Sequence, residues 1–249
     1  MEKASAAGRL TEAVLAVGLA AAAIVPFLPA LAGRFVMDDH VEIDQNPLIT
    51  GSWDWRKALL SDVYAGRGSS TSGLYRPAAT VAYRLIALPA GASPLPFHIV
   101  NLLLHAGAVL AGYAALRSAG SACGVAGAAS LLFAVHPVQV DIVAPGSGLK
   151  DLLAAAAGLA SLLAWMKHRR PESPSPAWLA VCCGFLLVAV LSKESVAALP
   201  LLFLAADALG LPVVEKQNKI ARDVLPEPAA AEAWLRNWKK FRRIAPSWL

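Results

Sequence analysis

The stretch LTEAVLAVGLAAAAIVPFLPALA, residues 10–32, runs almost directly into FVMDDHVEIDQNPLI, residues 35–49. The first stretch is apolar over about 22 residues, which is the length that crosses a bilayer as a helix. The second stretch concentrates acidic residues in a chain of which only 16% is charged. Its acids are Asp38, Asp39, Glu42 and Asp44. So much acid just beyond a membrane-length segment predicts a site at the bilayer surface.

Composition indicates a helical membrane protein. Of the 249 residues, 57% are hydrophobic, well above the roughly 45–50% that is usual for soluble domains even with glycine counted. Long Ala, Leu and Val runs are plentiful, whereas segments of alternating polarity, which a transmembrane barrel needs, are not found in the sequence. We therefore predict an all-α polytopic membrane protein with about six transmembrane helices.

The apolar runs set the predicted membrane segments, with ends accurate to several residues. They lie at 10–32, 97–117, 120–136, 149–167, 177–193 and 195–213. A cleaved signal peptide is the alternative for the first run, but its length favours an uncleaved signal anchor. Residues 1–212 then form one transmembrane domain, with a sizeable outer loop at 33–96. Residues 213–249 form a tail, predicted as a basic amphipathic helix on the inner leaflet.

Charge sets the expected orientation. Most of the 22 Lys and Arg residues fall on the side that holds the N-terminus, so both termini are expected in the cytoplasm. The acidic loop then faces the periplasm of a bacterium, or the lumen of the endoplasmic reticulum in a eukaryote. The net charge of +5 reflects this topology and does not indicate nucleic acid as a partner. The three cysteines lie in apolar runs without metal-ligand spacing, which indicates buried thiols.

The outer loop carries two further features. WDWRKALLSDVY, residues 53–64, places Trp55, Leu59 and Leu60 near one side of a helix, which predicts an interfacial helix anchored by tryptophan. A turn rich in glycine and serine then leads to the tripeptide YRP, which contains Arg76.

The second membrane segment opens with FHIVNLLLH, residues 97–105. His98, Asn101 and His105 are spaced three and four apart, so they share one helical face. Polar groups in a membrane helix usually face protein or water. They could line a site or could form hydrogen bonds between helices, and both readings stay open.

Two more outer connections carry ionisable residues. FAVHPVQVDIVAPGSGLKDLLA, residues 133–154, holds His136, Asp141 and Lys150, and LSKES, residues 191–195, holds Lys193 and Glu194. Carboxylates and cations on one face of the membrane suit a reaction in which a carboxylate accepts a hydroxyl proton while cations hold a phosphate leaving group. A carboxylate cluster could also hold a divalent cation. Acid and cation alone do not distinguish transfer from transport.

The ordered set FVMDDHVEIDQNPLI, YRP, FHIVNLLLH, FAVHPVQVDIVAPGSGLKDLL, LSKES and LPLLFLAAD resembles the membrane half of the transmembrane and tetratricopeptide-repeat O-mannosyltransferases and their bacterial relatives. The likeness runs from about residue 10 to 212 and implies a GT-C glycosyltransferase fold. It also implies transfer of a mannose-type sugar from a polyprenyl-phosphate donor to a hydroxyl outside the cytoplasm, with inversion at the sugar carbon. Membrane lipid and a membrane protein partner are further expectations.

The resemblance also suggests site residues. We expect Asp39 to be the base or to orient the acceptor, with Asp38 supporting it, and either of the two could bind a metal. Arg76, His136 and Lys193 are candidates for the donor phosphate, with Glu194 orienting Lys193. The remaining candidate substrate contacts are His98, Asn101, His105, Asp141 and Lys150. A purely structural alternative stays open, in which Asp38 and Asp39 cap a short helix or pair with Arg34.

Departures from the family pattern give a second hypothesis. Relatives usually read close to SGRKDLL where this chain has SGLKDLL, so Leu149 replaces an arginine. The family continues into further membrane helices and repeats, and a truncated member is therefore expected. Such a chain could instead be a non-catalytic membrane protein that binds a lipid-linked sugar or scaffolds a partner. A transporter has less support, because the sequence shows no inverted repeat and few charges at mid-membrane.

Overall fold

The computed structural model describes residues 2–52, 54–63, 73–169 and 175–209. All regular structure in these ranges is helical, which confirms the predicted all-α class. The α-helices described there are α1 Glu2–Ile24, α2 Pro47–Thr50, α3 Trp55–Leu60, α4 Pro77–Ala90, α5 Pro94–Ser118, α6 Cys123–Val135, α7 Val140–Val143, α8 Leu149–His168, α9 Pro176–Ser192 and α10 Leu199–Ala208. The predicted tail at 213–249 lies outside the described residues.

Short 3₁₀- and π-helices join these elements. The 3₁₀-helices are Val25–Ala32, Pro137–Gln139, Gly146–Gly148 and Glu194–Ala198, and the π-helix is His40–Asp44. Several of them lie where the sequence places its acids, histidines and glycines. The chain therefore changes direction at the segments that carry the candidate site residues.

Three helical stretches in the described ranges are long and apolar enough to cross a membrane, namely Leu10–Ala32, Pro94–Ser118 and Gly146–His168. A fourth exists if Cys123–Val135 and Pro137–Val143, which meet at 49°, form one broken span. Pro137 explains the break, because proline cannot continue the preceding helix. The helices α9 and α10 are shorter, with 17 and 10 residues. Each of the six predicted segments contains a helix in its described part, although residues 120–122 are not helical. Three or four of these helical stretches, fewer than the predicted six, reach membrane length in the described ranges.

The helix α5 lies at the centre of the bundle and packs against α1, α6 and α8, while α9 packs on the far side of α8. Val109 and Tyr113 of α5 are buried with Leu19 of α1 and Ala126 of α6. Small residues let these helices approach closely. A Cβ atom added at Gly127 of α6 would lie 2.9 Å from a methyl group of Leu15.

The outer loop is folded onto one end of this bundle. Its helix α4 starts at Pro77, a favoured first helical residue, and stops before Gly91, whose φ of 64° suits glycine. Tyr83 of α4 is buried in one apolar cluster with Phe35, Phe97 and Leu149. We call this the loop end of the bundle, defined by the described residues 33–52, 54–63, 73–93, 136–151 and 193–198.

The segment predicted to form an interfacial helix contains a short helix, and its position at a membrane interface stays a prediction. The helix α3 has six residues and starts after Asp54, whose side chain accepts hydrogen bonds from the backbone N–H groups of Arg56 and Lys57. Trp55 and Leu60 are exposed, as a membrane-facing helix requires. Trp53 and Tyr64, the ends of the predicted helix, lie outside the described residues.

Ion pairs also lie at the opposite end of the bundle. Nη2 of Arg117 lies 2.6 Å from Glu12, and Nε of Arg169 lies 2.9 Å from Asp207. These pairs join helix ends that the sequence assigns to the cytoplasmic side. The structure thus separates the two sets of connections, while the side of the membrane that each faces stays a prediction.

Candidate active site

Asp39 is completely buried at the loop end, with 0% of its surface exposed. One carboxylate oxygen accepts hydrogen bonds of 3.1 Å from the backbone N–H groups of Val36 and Gly146. The other accepts one of 2.7 Å from the N–H of Ser147. Hydrogen bonds from three backbone N–H groups fix the orientation of the carboxylate. Asp39 therefore joins the outer loop to the short helix before α8.

Two glycines make this close approach possible. A Cβ atom on Gly148 would lie 1.7 Å from the carbonyl oxygen of Ile142, a distance that no side chain tolerates. A Cβ atom on Gly146 would meet the Ile43 and Phe35 side chains at 3.0 and 3.2 Å. The sequence GSG is thus needed to bring the Ser147 N–H group to Asp39.

Asp38 has a different environment, although it is the next residue in the chain. Its side chain is exposed and lines a cavity of about 560 Å³. The cavity wall consists of residues from Ala30 to Asp38, His98 of α5, and residues from Val140 to Ser147. Met37 has a positive φ of 46°, which is strained for a residue with a side chain. This turn directs Asp38 and Asp39 into different surroundings.

His98 forms part of the same cavity wall and is only 2% exposed. Neither ring nitrogen has a well-formed hydrogen bond to any described residue. A buried polar group without a partner is uncommon and needs an explanation. Backbone groups of Gly33 and Ala144 lie close to the ring and hold it in the cavity wall.

Asn101 and His105, which share the helical face of His98, make hydrogen bonds to neighbouring segments of the bundle. The side-chain amide of Asn101 donates to the carbonyl oxygen of Pro145 at 2.7 Å. Nε2 of His105 lies 3.1 Å from the Ala134 carbonyl oxygen, and its ring lies between Phe27 and Phe133. The interhelical alternative therefore describes the contacts of these two residues, whereas His98 lines the cavity.

Three ion pairs form a second group of charges at the loop end. Arg76 binds Glu194 through two hydrogen bonds of 2.9 and 2.7 Å, and Nζ of Lys150 lies 2.6 Å from Glu42. Nζ of Lys193 pairs with the carboxylate of Asp151. Each predicted phosphate-binding cation of this group thus already has a carboxylate partner. The predicted contact between Glu194 and Lys193 is replaced by these two pairings.

Tyr83 connects this charge group to the Asp39 loop. Its hydroxyl lies 2.7 Å from the Ser147 carbonyl oxygen and 3.1 Å from a carboxylate oxygen of Glu42. Burial, reinforced by the Glu42 carboxylate, raises the pKa of Tyr83. The hydroxyl therefore stays protonated and acts as a donor.

The two side chains of the Arg76–Glu194 pair differ strongly in solvent exposure. The Arg76 side chain is 8% exposed, while that of Glu194 is 60% exposed. The hydrogen bonds from Arg76 lower the pKa of the Glu194 carboxyl from 4.5 to about 2, and the same contact raises the pKa of Arg76. Because Glu194 is largely in solvent, the pair contributes less to stability than this pKa suggests.

Two predicted contacts lie at the edge of the site. His136 is exposed, and its Nδ1 accepts a hydrogen bond of 3.2 Å from the N–H of Val138, which caps the short helix after it. Asp141 is also exposed but lines the cavity with Asp38. Asp141 therefore lines the cavity, whereas His136 hydrogen-bonds to the backbone of its own turn.

The described residues contain no group of three or more His, Cys, Asp or Glu side chains arranged to hold a metal ion. Asp39 is a poor metal ligand in this conformation, because both of its oxygens accept hydrogen bonds from the backbone. A divalent cation would rely on Asp38 and on ligands from the substrate.

Comparison with known proteins places these features in a family. The chain is 34% identical to a protein O-mannosyl-transferase of Caenorhabditis elegans over 178 residues, 69% of this chain and 24% of that protein. It is 33% identical to Tmtc2 of Drosophila melanogaster over 70% of this chain and 19% of that protein. The human protein TMTC4 is 34% identical over 69% of this chain and 26% of its own length. No family model and no solved structure matches the chain.

The chain belongs to the TMTC family of protein O-mannosyl-transferases. It spans about a quarter or less of the length of these TMTC relatives. The resemblance predicted from the ordered motifs is therefore confirmed.

Leu149 stands where an arginine is expected in TMTC sequences. It is 1% exposed and packs in the apolar cluster with Phe35 and Ile43. Its surroundings are therefore those of a core residue. A charged side chain at this position would be buried next to apolar groups, at a high cost in free energy.

Arg34 lines the cavity, although sequence reasoning did not count it among the candidate site residues. It lines the cavity beside Asp38 and is exposed. The structural alternative paired it with Asp38 or Asp39, but no ion pair joins it to any described residue. Its position as the first cation after the apolar run was the available signal.

A second, apolar groove of about 590 Å³ lies between the outer loop and the bundle. Leu60, Tyr75 and Leu85 form one wall, and Leu153 and Leu191 form the other. The groove adjoins Arg76 in sequence, because Tyr75 and Pro77 both line it. Its lining is almost entirely apolar.

Proposed function

We propose that this protein transfers a mannose-type sugar from a polyprenyl-phosphate donor to a hydroxyl group, on the membrane side that the outer loop faces. The names of its relatives support sugar transfer to protein. The observation that carries the proposal is an exposed carboxylate, Asp38, in a cavity of about 560 Å³ at the loop end. Cavities of this size with few polar groups are typical ligand sites.

In this reaction Asp38 is the base. The acceptor oxygen attacks the anomeric carbon of the sugar from the face opposite the phosphate, and its proton passes to the Asp38 carboxylate. The bond between the anomeric carbon and the phosphate oxygen breaks, and its electron pair leaves with the polyprenyl phosphate. Inversion at the sugar carbon follows from this single displacement.

Asp39 has a positioning role in this proposal. Three backbone N–H groups already donate to its oxygens, and its side chain is buried away from the cavity. It holds the turn at Met37 and thereby fixes the direction of Asp38. The geometry thus favours Asp38 as the base and Asp39 as the positioning residue, whereas the sequence favoured Asp39 as the base.

The three ion pairs stabilise the loop end without lining the cavity. Lys150 and Glu42 are largely buried, and Tyr83 links them to the backbone beside Asp39. These contacts hold the outer loop against α8. In this proposal Arg76, Lys150 and Lys193 act through their carboxylate partners, and the donor phosphate contacts them only if a partner moves.

The test is sugar transfer by the purified full chain in lipid nanodiscs, with a radiolabelled polyprenyl-phosphate mannose donor and an acceptor peptide rich in serine and threonine. Asp38→Asn should lower the rate by about 100-fold or more while the melting temperature stays unchanged. Asp207→Asn, at the opposite end of the bundle, is the matched control and should keep full activity. Unchanged transfer by Asp38→Asn would exclude Asp38 as the base.

A second candidate is a non-catalytic membrane protein that binds a lipid-linked sugar or scaffolds a partner. The observation in its favour is that each of Arg76, Lys150 and Lys193 is already paired with a carboxylate. Saturable binding of the donor without transfer by the wild-type chain would support this candidate. Turnover by the same preparation would exclude it.

A further inference from the structure

The cations at the loop end differ in whether they are free to bind an anion. Arg76, Lys150 and Lys193 each have a carboxylate partner. Arg34 is exposed and has no ion pair with a described residue. An anion that binds Arg34 displaces no carboxylate of the described residues, whereas one that binds Arg76 must first remove a carboxylate held by two hydrogen bonds.

Arg34 also lies at the right depth for a lipid phosphate. It follows the span Leu10–Ala32 after a single residue, Gly33. The end of a membrane span lies near the level of lipid head groups, where arginine side chains reach phosphate oxygens. Its planar guanidinium can donate two parallel hydrogen bonds to a phosphate group.

The cavity shows a second, independent sign of a ligand. His98 lies in its wall at 2% exposure, with both ring nitrogens lacking a well-formed hydrogen bond to any described residue. Backbone groups of Gly33 and Ala144 lie near these nitrogens, and a hydroxyl or phosphate oxygen in the cavity would replace one such contact. Arg34, Asp38 and His98 therefore offer a cation, a carboxylate and an imidazole around one space.

We propose that Arg34 binds the phosphate group of the isoprenoid substrate in the cavity that Asp38 and His98 line. The proposal rests on the proposed function, because it places the leaving phosphate near the base. With the phosphate on Arg34, the sugar attached to it lies in the cavity, and His98 contacts the ligand from the cavity wall. Arg76, Lys150 and Lys193 then stabilise the loop end through their carboxylate partners.

The test measures binding without turnover. Full-length protein in phosphatidylcholine nanodiscs is titrated with a polyprenyl phosphate that lacks a sugar, and separately with the corresponding polyprenol. Arg34→Gln should weaken binding of the phosphate about 10- to 100-fold, as expected for loss of a charged hydrogen-bonding group. Arg34→Lys should weaken it less, and binding of the polyprenol should not change.

Arg76→Gln is the matched control. It should leave affinity for the polyprenyl phosphate within about twofold of wild type, although its melting temperature should fall. If Arg76→Gln does not fold, Lys193→Gln serves the same purpose, because Lys193 is also a paired cation of the loop end.

Three results would overturn the proposal. Wild-type affinity in Arg34→Gln would show that Arg34 does not bind the phosphate. Loss of binding in folded Arg76→Gln alone would place the phosphate beside the apolar groove. Displacement of polyprenyl phosphate by an equal concentration of phosphatidic acid would show that Arg34 contacts lipid phosphates in general.

The outcome is separable from that of the proposed function. A wild-type chain that binds polyprenyl phosphate through Arg34 but transfers no sugar would keep this inference and refute sugar transfer. If Asp38→Asn abolishes transfer while Arg34→Gln binds polyprenyl phosphate normally, the result keeps sugar transfer and refutes phosphate binding by Arg34.

Discussion

The carboxylate of Asp39 accepts a hydrogen bond of 2.7 Å from the backbone N–H of Ser147, 108 residues further along the chain. This contact joins the outer loop after the first span to the segment that starts the span Gly146–His168. It also separates the tasks of two adjacent acids, because Asp39 is buried by it while Asp38 faces the cavity. The direction of Asp38 therefore depends on a contact between two distant parts of the chain.

Replacement of Asp39 should act mainly by lowering the free energy of unfolding, and only secondarily on the chemical step. Asp39→Ala leaves the buried N–H groups of Gly146 and Ser147 without acceptors, and each unsatisfied group costs about 1–3 kcal/mol. We expect the free energy of unfolding to fall by about 3 kcal/mol, measured by thermal or denaturant unfolding in detergent. Asp38→Asn is the control and should leave it unchanged. Equal stability of Asp39→Ala and wild type would contradict the contact.

Gly148→Ala should disrupt the loop end. The added methyl would lie 1.7 Å from a backbone oxygen, so the backbone must move and the Asp39 contact must weaken. We expect a loss of about 2 kcal/mol or more in unfolding free energy. Gly107→Ala is the matched control, since an added Cβ on this α5 glycine has nothing within 4 Å. That variant should be neutral or up to about 1 kcal/mol more stable.

The Arg76–Glu194 pair should give a pH-dependent contribution to stability. The folded pKa of Glu194 is lowered to about 2 from 4.5, so the contribution is complete above pH 4.5 and is lost as pH falls towards 2. Because Glu194 is 60% exposed, we expect at most about 1 kcal/mol. Glu194→Gln should therefore be slightly less stable than wild type at pH 7 and equal to it near pH 2. A difference that grows at low pH would have the wrong sign.

The orientation of the bundle can be tested with cysteine labelling. After the native cysteines Cys123, Cys182 and Cys183 are replaced by serine, Ser52→Cys should react with a membrane-impermeant maleimide from the periplasmic or lumenal side. Ser118→Cys, at the end of α5, should react only after the membrane is permeabilised. Reaction of Ser118→Cys in intact cells or vesicles, with Ser52→Cys protected, would reverse the proposed topology.

The helical segments and the general place of the site could be predicted from the sequence. Apolar runs of membrane length specify helices, because a bilayer leaves no other way to satisfy backbone hydrogen bonds within one segment. The ordered motifs around Asp38, Arg76 and Lys193 also indicated the family. Charge partners were harder to predict. Glu194 lies next to Lys193 in sequence, yet it binds Arg76, because the turn after α9 directs the two side chains to different neighbours.

By itself the sequence determined an all-helical membrane protein, its family and the acid-rich loop after the first span, since these depend on composition and local order. Only the tertiary structure decided which acid faces the cavity, which cations are neutralised and that Arg34 is free of an ion pair among the described residues. The physical reason is that burial and pairing depend on residues far apart in the chain. Asp38 and Asp39 are chemically identical neighbours. The turn at Met37 and the backbone of Gly146 and Ser147 give them different environments.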